Sequence, residues 1–145
     1  MNDLNKIKQR LPYTEPFLFV DELTELTETN AEGNYTFSED SFFFKGHFKN
    51  HPVTPGAILT ECMAQIGLVS LGLFILKDES LTGTKIALSS TEIDFYEGVY
   101  PNEKVTVSSE KIYFRFNKLK CKVRMHNIKG ILVAKGIISG MIING

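Results

Sequence analysis

Tryptophan is missing from this 145-residue chain, cysteine occurs only twice, and histidine only three times. Two cysteines cannot build the multi-bridge framework of a small secreted scaffold. Cys62 lies in an apolar run and Cys121 in a strand-like one, so both read as buried free thiols, and nothing demands an oxidising compartment. His47, His51 and His126 are scattered, with no metal-ligand spacing among them or to the cysteines; neither a metal nor an organic cofactor is expected. A dominant charge is lacking too. The 16 Lys and Arg nearly balance 17 Asp and Glu, for a formal net charge of −1, and no recognition motif accompanies them, which argues against a nucleic-acid partner. The opening Met1-Asn2-Asp3-Leu4-Asn5-Lys6-Ile7-Lys8 has no apolar signal core. The longest uncharged apolar-rich run, residues 62 to 76, falls short of the ~20 residues of a membrane span. A cytoplasmic protein without membrane contact is the expectation. Internal repeats, low-complexity tracts and linkers are also absent, so residues 1–145 are expected to form a single domain, large enough to bury a core.

What is present is mostly strand-like. Residues 17 to 27 and 31 to 38, separated by Thr29-Asn30, predict an early antiparallel pair. Beyond a polar loop at Lys77 to Gly83, four further β-rich runs cover 84–97, 104–116, 118–128 and 131–143, with turns at Pro101-Asn102 and Asn127-Ile128-Lys129-Gly130. Alternation is clearest in the third of these runs, where Lys118, Lys120, Lys122 and Arg124 point one way and Leu119, Cys121, Val123 and Met125 the other. Between the two groups of strands, Thr54-Pro55-Gly56 turns the chain into an apolar helix. A single apolar helix and a large antiparallel sheet each need the other to hide an apolar face, so the fold class is α+β, with the helix packed against the sheet.

The most informative stretch joins that helix to the loop before it. Gly46-His47-Phe48 opens a loop bounded by Pro52 and Pro55, and fourteen positions after His47 comes Glu61, followed by Gln65 one turn on. Glu61 and Gln65 share a helix face surrounded by Ile58, Leu59, Cys62, Met63, Ile66 and their apolar neighbours. A carboxylate there is costly to bury, so it emerges at a cleft or has its ionisation shifted. Taken singly, a histidine in a glycine loop is usually an ordinary loop residue, and a glutamate in the first two turns of a helix often just complements the dipole. The conjunction of the two is what carries the signal.

That conjunction, G-H-F, a proline-bounded loop, P-G at a helix start and E-x-x-x-Q in an apolar run, resembles the signature of the 3-hydroxyacyl-acyl-carrier-protein dehydratases. The similarity extends to Leu11-Pro12-Tyr13-Thr14-Glu15-Pro16-Phe17-Leu18-Phe19-Val20-Asp21 and to Ile93-Asp94-Phe95 with Val99-Tyr100-Pro101-Asn102-Glu103, and so spans most of the chain. The resemblance implies a hotdog fold, in which an antiparallel sheet wraps a long central helix. It also implies a homodimer or higher homo-oligomer in which each site takes its histidine from one subunit and its carboxylate from the other. Glutamate rather than aspartate at 61 is similar to the broad-range branch. Two departures stand out: Lys49-Asn50 replaces the usual Pro-Gly, and Tyr13-Thr14-Glu15 the usual His-Arg-aromatic triplet. Neither removes a catalytic group, and both would fit a specialised pathway with an unusual acyl chain.

Dehydration of a 3-hydroxyacyl thioester needs a base at C2, an acid at the departing hydroxyl and a donor to the thioester oxygen. A neutral imidazole accepts protons near neutral pH, which suits His47 as base. Apolar neighbours should raise the Glu61 carboxyl and keep it protonated to act as acid. The Gly56 N–H, unpartnered at the helix start, would hold the thioester oxygen, and Gln65 would orient the carboxylate or a water. Phe44 and Phe48, beside the histidine, are candidate substrate contacts, although the Phe42–Phe44 run reads as core rather more than as the wall of an acyl tunnel. No acidic residue follows Glu110, whereas Lys111, Arg115, Lys118, Lys120, Lys122, Arg124, Lys129 and Lys135 do. An acidic acyl carrier protein would be steered by such a surface, and lysines on a strand also serve solubility alone. A hotdog acyl thioesterase and a non-catalytic acyl-binding module are the alternatives.

Overall fold

The computed structural model describes residues 3–77 and 84–144. A short amphipathic helix, α1 (Asp3–Arg10), comes first and buries Ile7. Six strands follow in chain order: β1 (Glu22–Leu26), β2 (Asn30–Phe37), β3 (Thr84–Phe95), β4 (Glu103–Arg115), β5 (Lys118–Asn127) and β6 (Leu132–Asn144). They form one antiparallel sheet in the order β1-β2-β4-β5-β6-β3. The last four agree with the expected strands to within about two residues at each end. The loop expected at Lys77 to Gly83 lies, beyond Lys77, outside the described residues. The first expected strand is shorter than the composition of 17–27 suggests. Phe17 to Asp21 runs as irregular chain because part of its backbone is bonded to a side chain of the central helix: the Phe19 N–H donates to Gln65 Oε1 at 2.8 Å.

That helix covers Gly56–Leu76, 21 residues with a mean hydropathy of 1.8. By length and composition it would cross a membrane, and it is longer than the apolar run that marks it in the sequence; 72% of its most apolar window is buried inside the fold, as befits a core helix. It comprises α2 (Gly56–Ala64), one π turn (Gln65–Val69) and α3 (Ser70–Leu76). Two carbonyls of this turn accept from hydroxyls: Ser70 Oγ donates to Gln65 O, which also accepts the Ser70 N–H, and Ser109 Oγ donates to Gly67 O, both hydroxyl bonds at 2.7 Å. Gly67 is glycine because the sheet comes so close there. A Cβ would stand 3.0 Å from both Ser109 Cβ and Val123 Cγ1.

The core lies between this helix and the concave face of the sheet. Met63, Ile66, Leu68 and Leu71 of the helix pack with Val105 and Val107 of β4, Leu119, Cys121, Val123 and Met125 of β5, and Ile138 of β6, all at most 1% exposed. The predicted alternation of β5 is therefore realised, with Lys122 and Arg124 exposed on the convex face. Cys62 and Cys121 are both free and buried. Burial pushes both thiols up, Cys121 to about 12, and Cys62 Sγ donates to Phe19 O at 3.4 Å.

Candidate active site

Pro55 precedes α2 with φ −59° and ψ 141°, and Gly56 begins the helix. The Thr54 N–H donates to Val99 O at 2.8 Å, which ties the helix entrance to the chain just before β4. Phe95, the last residue of β3, lays its ring on Gly56, where a Cβ would meet the ring at 3.3 Å. The first amides of α2 have no partner within the helix and carry partial positive charge.

Glu61 sits in the second turn of α2 and is half-buried. Its Oε2 accepts a hydrogen bond from Gln65 Nε2 at 3.0 Å. The same Gln65 amide donates to Phe17 O at 3.0 Å and accepts from the Phe19 N–H, and its side chain is wholly buried. One amide thus holds the carboxylate and the N-terminal loop at once. Burial raises the Glu61 carboxyl above its ordinary range, and the Gln65 hydrogen bond opposes this in part. Gln65 was expected to orient the carboxylate; its clamp on Phe17 and Phe19, which spans more than forty residues of sequence, was not legible beforehand.

His47 is held by its own loop. A 3-10 turn, Phe42–Lys45, leads into it, and the His47 N–H donates to Phe43 O at 3.1 Å. The ring Nδ1 is 2.9 Å from Val53 O, while the Val53 N–H returns a bond to His47 O at 2.8 Å. A carbonyl only accepts, so Nδ1 carries the proton and Nε2 of the neutral ring keeps its lone pair. Phe48 stacks on the imidazole, with centroids 4.0 Å apart and planes at 27°, and pairs with His51 through both backbone bonds, at 2.8 and 2.9 Å. The Phe48 ring is 58% exposed. Phe44 lies in the core beside Phe43, with ring centroids 4.6 Å apart, and so takes the core place that the run of three phenylalanines allowed; Phe42 faces solvent.

Glu61 lines a cavity of about 310 Å³ between the helix, the N-terminal loop and strand β3. Its walls are largely apolar and include Phe17, Leu68, Val69, Ile86 and Leu88. Tyr13 also lines it, a residue that sequence reasoning marked only as a departure from a motif. Burial and the nearby Glu61 push its phenol up to about 12. Among the described residues, His47 does not border this cavity. Within one chain, then, the fold supplies a base-like imidazole at one place and a protonatable carboxyl at another.

The FabA-like domain model matches residues 11–137. A 3-hydroxyacyl-[acyl-carrier-protein] dehydratase FabZ of Clostridium botulinum is 38% identical over 111 residues, covering 74% of each chain. Among solved structures, the dehydratase heterocomplex ApeI:P of Xenorhabdus doucetiae superposes with a TM-score of 0.77 at 13% identity, over 95% of this chain and 91% of that one. A thioesterase of Haemophilus influenzae gives 0.72 at 16% identity, over 99% and 92%. Similarity to both shows the hotdog fold and does not separate their chemistries. The sequence match does separate them, and by it the chain belongs to the FabA-like, 3-hydroxyacyl-[acyl-carrier-protein] dehydratase family.

Proposed function

We propose that the protein removes water from (3R)-hydroxyacyl thioesters carried on an acyl carrier protein, giving the trans-2-enoyl thioester, in fatty acid synthesis or a related lipid pathway. The observation that carries this reading is the pair of side-chain states. One is an imidazole whose Nδ1–H is committed to Val53 O, leaving Nε2 open. The other is a carboxyl raised by burial in the wall of an apolar cavity. Nε2 of His47 takes the C2 proton, the C2–H electrons form the new double bond, the C3–O bond breaks, and Glu61 gives its proton to the departing oxygen. The Gly56 N–H donates to the thioester oxygen as charge builds there. Phe48, stacked on the imidazole, lies beside the reacting end of the substrate. Gln65 returns Glu61 to the same position for each turnover.

Both groups act on one substrate, and this reading has them meet across two subunits. Strand β3 supports it: twelve residues long at the sheet edge, it exposes Leu88 and Phe95 at 43% and 46%. Such an edge suits a second copy. A carrier with an acidic surface would be steered by the exposed Lys122, Arg124 and Lys135 of the convex face. A cytoplasmic location accords with the reading.

The test is to incubate the protein with 3-hydroxyacyl carrier-protein thioesters and follow the enoyl product by mass. His47→Ala and Glu61→Gln should each lower turnover by about two to four orders of magnitude, with melting curves near wild type. Hydrolysis to the free acid instead would favour the thioesterase, and acyl binding without turnover the sensing module.

A further inference from the structure

The polar members of the Glu61 cavity are Tyr13, Glu61 and Lys85, among otherwise apolar neighbours. Glu61 is bonded to Gln65, and Lys85 lies at the exposed edge and has an interaction of its own. The Tyr13 hydroxyl has no hydrogen-bond partner among the described residues, although the side chain is half-buried and packs on the core. Its O–H keeps access to solvent, so a ligand that enters the cavity either bonds it or takes it out of water. The loop that carries it is not loose, because Gln65 grips that loop at Phe17 and Phe19. The Tyr13 ring lines the cavity with a donor and an acceptor that no described residue engages.

The helical wall runs from Glu61 to Val69, about 12 Å at 1.5 Å per residue. An acyl chain whose C3 stands at Glu61 would extend along that wall and pass the loop bearing Tyr13. A saturated chain filling the cavity would strip water from the phenol and give nothing back, which is the unfavourable case for a polar group. A chain with an oxygen function or conjugated carbons would accept its hydrogen bond.

We propose that Tyr13 is a specificity-determining residue, and that its hydroxyl selects acyl chains bearing a hydrogen-bond acceptor beyond C3, an oxygen or the π face of conjugated carbons, over saturated chains of equal length. This rests on the dehydratase reading above.

The experiment compares kcat/KM for three 3-hydroxyacyl pantetheine thioesters of one length, saturated, oxo-substituted and polyunsaturated, in wild type and Tyr13→Phe. The variant keeps the ring, and each ratio is taken within one protein, so partial misfolding cancels. Wild type should favour at least one acceptor-bearing chain. In Tyr13→Phe that preference should fall by about ten-fold or more, in part because the saturated chain improves. Which of the two chains loses its advantage identifies the acceptor. An unchanged ratio, equal losses on all three substrates, or a wild-type preference for the saturated chain would overturn the proposal while leaving the dehydratase reading intact. Failure of wild type to dehydrate any of them would overturn both.

Discussion

His47 and Glu61 are held by opposite means. Every bond described around His47 begins and ends within its own short loop: Phe43 O below it, Val53 O at its ring, Val53 N–H at its carbonyl. The hold on Glu61 passes through Gln65 to Phe19 and Phe17, 46 and 48 residues away in sequence. One residue is placed by local geometry and stays near solvent; the other is placed by a tertiary clamp and lines a cavity. A loop that closes on itself can be presented to a neighbouring subunit without disturbing the core, whereas a carboxyl whose pKa is raised by burial needs the core around it.

The largest expected effect comes from separating the two on different chains. If each site takes its histidine from one subunit and its glutamate from another, mixing inactive His47→Ala and Glu61→Gln chains should restore activity. With random exchange at equal amounts, half the dimers are mixed and each has one intact site of two, so recovery should reach about a quarter of the wild-type rate. That is a gain of at least tens of fold over either variant alone. Verified subunit exchange with no recovery would mean that both groups act within one chain.

Gln65→Leu strikes only the Glu61 side. It leaves the buried Phe19 N–H without a partner, for a stability loss of about 1–3 kcal/mol. It also removes the hydrogen bond that holds the carboxyl down, so the Glu61 pKa should rise further, and one limb of the pH–rate profile should move to higher pH while the other stays. The bonds between His47 and Val53 are untouched by the substitution. Movement of both limbs together would show that the two halves are coupled, contrary to the comparison.

The linkage for Glu61 itself gives a smaller effect of definite sign. Its folded pKa lies above the unfolded one because of burial. The stability it contributes is full below the unfolded pKa and is lost as pH rises through the raised folded value. Glu61→Gln does not titrate. Its stability relative to wild type should therefore increase across that window and level off above it, as measured by denaturant melts at stepped pH. A difference that stays flat with pH would mean that the carboxyl is no more buried in the folded chain than in the unfolded one.

The same contrast explains what the sequence made legible. Strands β3 to β6 could be read as β-rich runs between turns, and β5 above all because a period of two is written in Leu119, Cys121, Val123 and Met125 against the basic residues between them. The G-H-F loop and the helix start could be read because glycine and proline mark turns locally. Three features had no such mark. Helix α1 offers only Leu4 and Ile7 as apolar positions. The π turn at Gln65–Val69 leaves the composition unchanged and announces itself only when Ser109 of β4 reaches Gly67 O. The irregular path of Phe17 to Asp21 looks like strand by composition and is diverted by a glutamine far along the chain.

The smallest effect belongs to the His47 side. Thr54 is 4% exposed, and its Oγ1 is buried with no hydrogen-bond partner, yet its N–H fixes the loop to Val99. If the loop is held by backbone alone, Thr54→Val keeps what matters: the same N–H, nearly the same shape, and one less polar atom to desolvate. Replacing an unpaired buried hydroxyl by a methyl group should be neutral or stabilising by up to about 1 kcal/mol, and kcat/KM should stay within about two-fold of wild type, since a change of that size is a small fraction of the general-base contribution. A melt lowered by more than about 1 kcal/mol, or a ten-fold loss of turnover, would show that the hydroxyl makes a contact in the working protein on which the histidine depends. The hold on His47 would then be a side-chain clamp after all, like the one on Glu61.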